Sequence, residues 1–184
     1  MNFNSHSELE GRHSFLSPSK YHWVNYDDEK LDRVFRTALL SARGTALHEL
    51  AHSLINLGVK LPATRKTLNM YVNDGIGFRM VSEQPLFYSS NCFGTTDAIS
   101  FKRNFLRIHD LKTGVTPASM MQLKVYTAIF CLEYGVKPAE IKIELRMYKE
   151  DDVEILVPEL DDIMHIMDKI ITFDKRIQLL TLEV

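Results

Sequence analysis

Much of what narrows this chain is missing from it. Its 184 residues include two cysteines, six prolines and a single tryptophan. Cys92 and Cys131 lack the spacing of metal-binding cysteines and read as reduced, packed thiols. The longest unbroken apolar run, Ala128 to Leu132, is far too short to cross a bilayer, so no membrane partner is expected. No basic-then-apolar leader opens the sequence, which predicts an intracellular, cytoplasmic protein. No phosphate-binding Gly-x-x-x-x-Gly-Lys loop is present, which argues against a nucleotide cofactor. Positive charge is not in excess: the net charge is −2, unlike the footprint of a strong nonspecific DNA binder. A local basic patch would have to come from Arg65, Lys66, Arg79, Lys102, Arg103, Arg107 and Lys124. Repeats and low-complexity blocks are absent as well.

What remains is 45% hydrophobic and 25% charged, enough for one domain with a sizeable core. Residues 1–14 are polar and read as a mobile tail, with a single domain over 15–184. Ser17-Pro18 has the form of a cap followed by proline at a first helical position, with Tyr21, Trp23 and Val24 as apolar contacts. The spacing predicts helix over 29–57, in one piece or two, ended by Gly58. Within it Leu47, Leu50, Ala51 and Leu54 form a core stripe. A helix over 64–74 and strands over 77–90, 92–102 and 105–112 follow, with Pro85 marking an edge or bulge. Thr116-Pro117 repeats the cap-and-proline signature and opens a helix over 117–134 that stops at Gly135. Strands over 140–148 and 152–158 and a helix over 159–180 complete the order. A meander followed by a strand–helix–strand passage gives an α/β fold with a mixed sheet flanked by helices.

Two acidic sites stand out. Asp97 closes Phe93-Gly-Thr-Thr-Asp97, and Asp110 opens Asp110-Leu-Lys112-Thr-Gly114 on the next strand, with Arg103-Asn104 as the turn between. A hairpin there brings both carboxylates together. Positions i and i+2 share a strand face, so Asp110 and Lys112 point alike while Leu111 faces the core. Two carboxylates and a lysine at one spot can hold a hard divalent cation and activate water beside it. In Gly94-Thr-Thr-Asp97 the glycine lets backbone approach a metal or phosphate closely. The plain alternatives are a turn aspartate at Asp97 and a strand ion pair between Asp110 and Lys112.

His48-Glu49-Leu-Ala-His52 also matches H-E-x-x-H, the zinc-protease pattern. Ile55 and Gly58 stand where the extended form of that pattern needs glycine and histidine. The other form of the pattern needs a third ligand from a downstream helix, and the acidic residues that follow are expected in turn- or strand-like sequence. On a helical wheel His48 flanks the core stripe, and His52 reads as solvated.

The pieces Gly44-Thr-Ala-Leu-His48-Glu49, Glu83, Gly94-Thr-Thr-Asp97, Asp110-Leu-Lys112 and Gln122-Leu-Lys-Val-Tyr126 occur in an order that resembles the PD-(D/E)XK nuclease superfamily, in its RecB-like and phage-exonuclease branch. The resemblance spans about residues 15 to 160 by motif order. It implies a restriction-endonuclease-like α/β/α core and metal-dependent hydrolysis of DNA, with Mg²⁺ or Mn²⁺ held by His48, Asp97, Asp110 and the Leu111 carbonyl. Lys112 would then act on the attacking water or the phosphate, and Gln122 and Tyr126 would support the site or contact DNA. Glu49 and Glu83 would stand at its margin. The resemblance favours an exonuclease of phage or recombination type in a bacterial or phage-infected cytoplasm. A DNA-binding accessory with an inactive site is the other reading. DNA is the implied partner, with room for a homo-oligomer and for a helicase or recombination partner on a separate chain. Some members of this branch carry a four-cysteine iron–sulfur cluster, which two cysteines cannot supply.

Overall fold

The computed structural model describes residues 14–114 and 119–183. The polar segment 1–13 and the Thr116-Pro117 signature lie outside the described residues. Backbone proximity divides the chain into two compact units, Met1–Arg43 and Gly44–Val184.

In the first unit Pro18–Asn25 forms a 3₁₀ helix with Ser17 at the N-cap position and proline in its first turn, as the sequence suggests. Ser17 makes no capping bond to the backbone; its hydroxyl meets that of Ser19 at 2.8 Å. Trp23 is tied back through Nε1–H to the Ser17 carbonyl at 3.0 Å, but Tyr21 and Val24 are exposed, contrary to expectation. Asp27 caps α1 (Asp28–Leu57) by accepting the Lys30 amide at 2.7 Å. The expected helix is a single element, and Gly58 ends it at a φ of 68°.

The second unit contains α2 (Thr67–Gly77), β1 (Val81–Ser89), β2 (Cys92–Lys102), β3 (Phe105–Leu111), α3 (Met121–Tyr134), β4 (Lys142–Lys149), β5 (Asp152–Leu156) and α4 (Leu160–Leu182). The strands form one sheet in the order β1-β2-β3-β4-β5. The β3–β4 pair is parallel and the other pairs are antiparallel. Two-residue turns close β2–β3 and β4–β5. Both residues of each, Arg103-Asn104 and Glu150-Asp151, have positive φ, as a hairpin turn matched to strand twist requires. β1 begins later than the pattern suggests, because α2 runs three residues further and Phe78–Met80 wrap its end with amide bonds back to Asp74, Ile76 and Gly75. Pro85 lies on the edge strand, where its missing N–H costs least.

The sheet is covered on both faces, giving the expected α/β/α arrangement. On one face Leu106, Ile108 and Leu145 pack with Leu123, Ala128 and Phe130 of α3 and Ile163 of α4. On the other, Ala98, Leu111 and Tyr148 pack with Ala51 and Ile55 of α1 and Tyr71 and Val72 of α2. Full burial of each large aliphatic chain here contributes roughly 1.5–3 kcal/mol. Of the predicted stripe on α1, Ala51 is buried and Leu54 packs against that cluster, but Leu50 is 46% exposed. The apolar line runs through Ala51 and Ile55, which turns Leu50 outward. Both cysteines are free thiols packed in the first cluster, and burial pushes the Cys131 thiol up to about 11.

Candidate metal centre

β3 is the middle strand, and it positions the site. Its register with β2 pairs Ala98 with His109, and the next step sets Asp97 opposite Asp110. On the other side of β2, Ser82 pairs with Ala98 and Gln84 with Thr96, which sets Glu83 opposite Asp97. Three neighbouring strands therefore contribute one row of carboxylates: Glu83, Asp97, Asp110. Asp110 is in phase with Leu106 and Ile108, and its side chain is only 5% exposed.

Glu83 has the special backbone. Its φ is 53°, a left-handed conformation inside a strand. That is costly for a residue with a Cβ and is seen mainly where a site demands it. Atoms of His48, Glu83 and Asp97 that can ligate a metal all lie within 4.8 Å of one another. His48 Nδ1 is 3.6 Å from Asp97 Oδ2, too long for a good hydrogen bond and suited to sharing a third centre. His48 reaches the row because α1 passes close to the loop after β3: a Cβ on Gly44 would lie 2.8 Å from Thr113 Oγ1. The glycine of the Gly44-to-His48 piece is thus a point of contact one turn before the histidine.

The electrostatics of the row are unbalanced. Asp97 is pushed up from its ordinary 3.8 to about 6, first by burial and then by the Asp110 charge. The Leu111 amide, donating to Asp97 Oδ2 at 2.7 Å, and His48 work in the opposite direction, and Glu83 adds repulsion. Asp110 Oδ2 is buried without a well-directed hydrogen bond, although Lys112 Nζ lies 3.0 Å away. His48, Glu83 and Asp97 form a group of potential ligands, with Asp110 adjoining it through an orphaned carboxylate oxygen; burial and the Asp110 charge disfavour the anionic form of Asp97, and a divalent cation would offset that repulsion.

Lys112 Nζ donates to Asp110 Oδ1 at 3.0 Å and to Gln122 Oε1 at 2.9 Å. Gln122 Nε2 lies 3.5 Å from Tyr126 Oη, and Tyr126 donates to the Thr95 carbonyl at 2.7 Å. The chain from lysine to glutamine to tyrosine ends on the strand that carries Asp97. Gly94 lies against this chain of contacts. A Cβ there would stand 3.0 Å from the Tyr126 ring, so the glycine makes room for that ring.

The two histidines of the H-E-x-x-H stretch diverge. His52 is half-buried rather than solvated: its Nδ1 lies 2.8 Å from the Ser82 hydroxyl, and Asn56 lies 3.0 Å from its Nε2. It thereby holds the residue next to Glu83. Glu49 is exposed and lies outside the His48–Glu83–Asp97 group. Sequence reasoning singled out no residue of α2, yet buried Tyr71 belongs to this neighbourhood. Its phenol is pushed far up, by burial first and then by the charges of Asp97, Glu83 and Asp110. An isolated tyrosine among apolar helix residues gives no signal of this.

No family model matches the chain, and neither a curated protein nor a solved structure does.

Proposed function

We propose that the chain is a metal-dependent deoxyribonuclease of the PD-(D/E)XK type, of the RecB-like and phage-exonuclease branch, that hydrolyses DNA phosphodiester bonds. The observation that carries this reading is the carboxylate row with Lys112 fixed at its end, 3.0 Å from Asp110 and 2.9 Å from Gln122. Mg²⁺ or Mn²⁺ would be held by Asp97, Asp110, the Leu111 carbonyl and His48, with Glu83 close enough to join them. When bound, such a cation lowers the pKa of water and offsets charge on the phosphoryl group.

The remaining work falls to the chain itself. An ammonium has three protons; Asp110 and Gln122 take two of those on Lys112, leaving one for the attacking water or a phosphate oxygen. Gln122 and Tyr126 hold that ammonium in place instead of leaving it to a flexible stem. Burial of Asp110 keeps its carboxylate from exchanging freely with solvent. Within the class, action from a DNA end is favoured by the motif order alone.

The test is incubation with end-labelled linear and closed circular DNA, in Mg²⁺, Mn²⁺ or chelator. Cleavage should need one of the two cations and fall by about 10²-fold or more in Asp110→Asn and Lys112→Ala. Wild-type-like cleavage by Asp110→Asn overturns the assignment. DNA binding without cleavage under every condition would favour an accessory with an inactive site.

A further inference from the structure

A second feature lies away from the carboxylate row. An open cavity of about 730 Å³ lies at the opposite end of β3, between the end of α2, the β2–β3 turn and the segment entering β4. From Asp110 back to Phe105 the strand rises about 17 Å. Five cationic residues line the cleft, namely Arg79, Lys102, Arg103, Arg107 and Lys142. Its acidic lining residue, Glu140, is already paired with Lys137 at 3.0 Å. In a chain of net charge −2 this is a marked local concentration.

The walls are tied together. The Lys142 amide donates to the Asn104 carbonyl at 2.8 Å, and Lys102 Nζ donates to the Arg79 carbonyl at 3.2 Å. Arg107 is fixed by three contacts. Its Nε donates to Glu144 at 3.2 Å, and its guanidinium stacks on Phe105 at 3.7 Å and Phe78 at 4.6 Å. Its terminal nitrogens make no hydrogen bond among the described residues. Arg79, Arg103 and Lys142 likewise form no ion pair among the described residues. By contrast, Arg65 and Lys124 are drawn off to Asp152 and Asp162. The prefixed Arg107 guanidinium, beside further guanidinium groups and the Lys142 ammonium, is suited to phosphate oxygens.

We propose that this cleft binds backbone phosphates of a DNA strand at a distance from the carboxylate row. The preference for phosphate follows from the cleft alone; the choice of DNA as its bearer rests on the nuclease reading. The two sites are about 17 Å apart along β3, and a DNA strand passing over the surface between them would span at least about five nucleotides at 3.4 Å each, so cleft and carboxylates would hold different phosphates of one molecule.

The experiment is equilibrium binding of a fluorescently labelled duplex, followed by anisotropy across a salt series in chelator. The proteins are wild type, the combined variant Arg79→Gln/Arg103→Gln/Lys142→Gln, and the control Lys175→Gln/Arg176→Gln on α4. All three altered positions of the combined variant are exposed, and circular dichroism checks its fold. The combined variant should lower affinity at least about tenfold and reduce the salt slope by about 2 to 3, since each phosphate contact contributes about 0.9. Lys175→Gln/Arg176→Gln, which removes exposed positive charge on α4 away from the cleft, should bind nearly as well as wild type. An unchanged slope and affinity in the combined variant overturns the proposal, as does a wild type that binds no DNA at low salt. Displacement of DNA by stoichiometric inorganic triphosphate at matched ionic strength identifies a free polyphosphate as the ligand and also overturns it. Because chelator is present, failure of the nuclease reading is separate: it shows as a protein that binds through the cleft yet never cleaves.

Discussion

Replacing Asp97 by Asn should stabilise the metal-free protein at neutral pH while destroying its proposed function. The carboxyl is raised from 3.8 to about 6 by burial and by Asp110, against the pull of the Leu111 amide and His48. A carboxyl whose folded pKa exceeds its unfolded value binds more protons when folded. Stability therefore falls as pH rises from about 4 to about 6, and the ionised group is a standing cost above that window. At about 1.4 kcal/mol per pH unit the cost approaches roughly 3 kcal/mol. Asparagine keeps an oxygen for the Leu111 amide, now 2.7 Å from Asp97 Oδ2, and removes the charge that Asp110 repels. In chelator at pH 7.5, urea unfolding should show Asp97→Asn more stable by about 1–3 kcal/mol, the gap about halving by pH 5 and vanishing below about pH 4. Saturating Mn²⁺ should narrow the gap, since a cation at about a hundredfold its Kd adds about 2.7 kcal/mol to wild type and less to a variant that binds it more weakly. A variant less stable than wild type at pH 7.5, with a gap that ignores pH, would refute the electrostatic account of the row.

His48→Ala should weaken Mn²⁺ binding and slow cleavage, with partial rescue at high Mn²⁺, because the imidazole faces Asp97. His52→Ala should instead lower stability by about 1 kcal/mol through the lost Ser82 bond and leave Mn²⁺ affinity nearly unchanged; equal losses of Mn²⁺ affinity would show that the two act as a pair. Gly94→Ala should cost about 1–3 kcal/mol by pressing on the Tyr126 ring. In a Tyr126→Ala background the same methyl should cost almost nothing, and urea unfolding of the four proteins in that cycle checks it: an equal cost in both backgrounds would show that Tyr126 is not the obstacle.

The order of elements was legible because the signals are local. Arg103-Asn104 and Glu150-Asp151 are turn dipeptides between alternating runs, and Gly58 and Gly135 stop helices with positive φ. The pairing of Asp97 with Asp110 follows from hairpin length alone, since the turn fixes the register. What escaped depends on contacts distant in sequence. Glu83 reads as a marginal acid until its left-handed backbone and its place opposite Asp97 are seen. His52 reads as solvated until Ser82 arrives from β1. Gly94 suggests an open approach, and only the return of α3 shows that Tyr126 fills it. The basic residues near the β2–β3 turn look scattered because α2 and the entry to β4, remote in the chain, complete the cleft.

The central claim is that the carboxylate row holds one divalent cation. Its most direct test is Mn²⁺ binding to the chelator-treated protein, read from the electron paramagnetic resonance signal of free Mn²⁺, for wild type, Asp97→Asn and Asp110→Asn. The account predicts saturable binding of one Mn²⁺ per chain in wild type, weakened at least about tenfold in each variant. Binding of equal affinity and stoichiometry in all three proteins would contradict it.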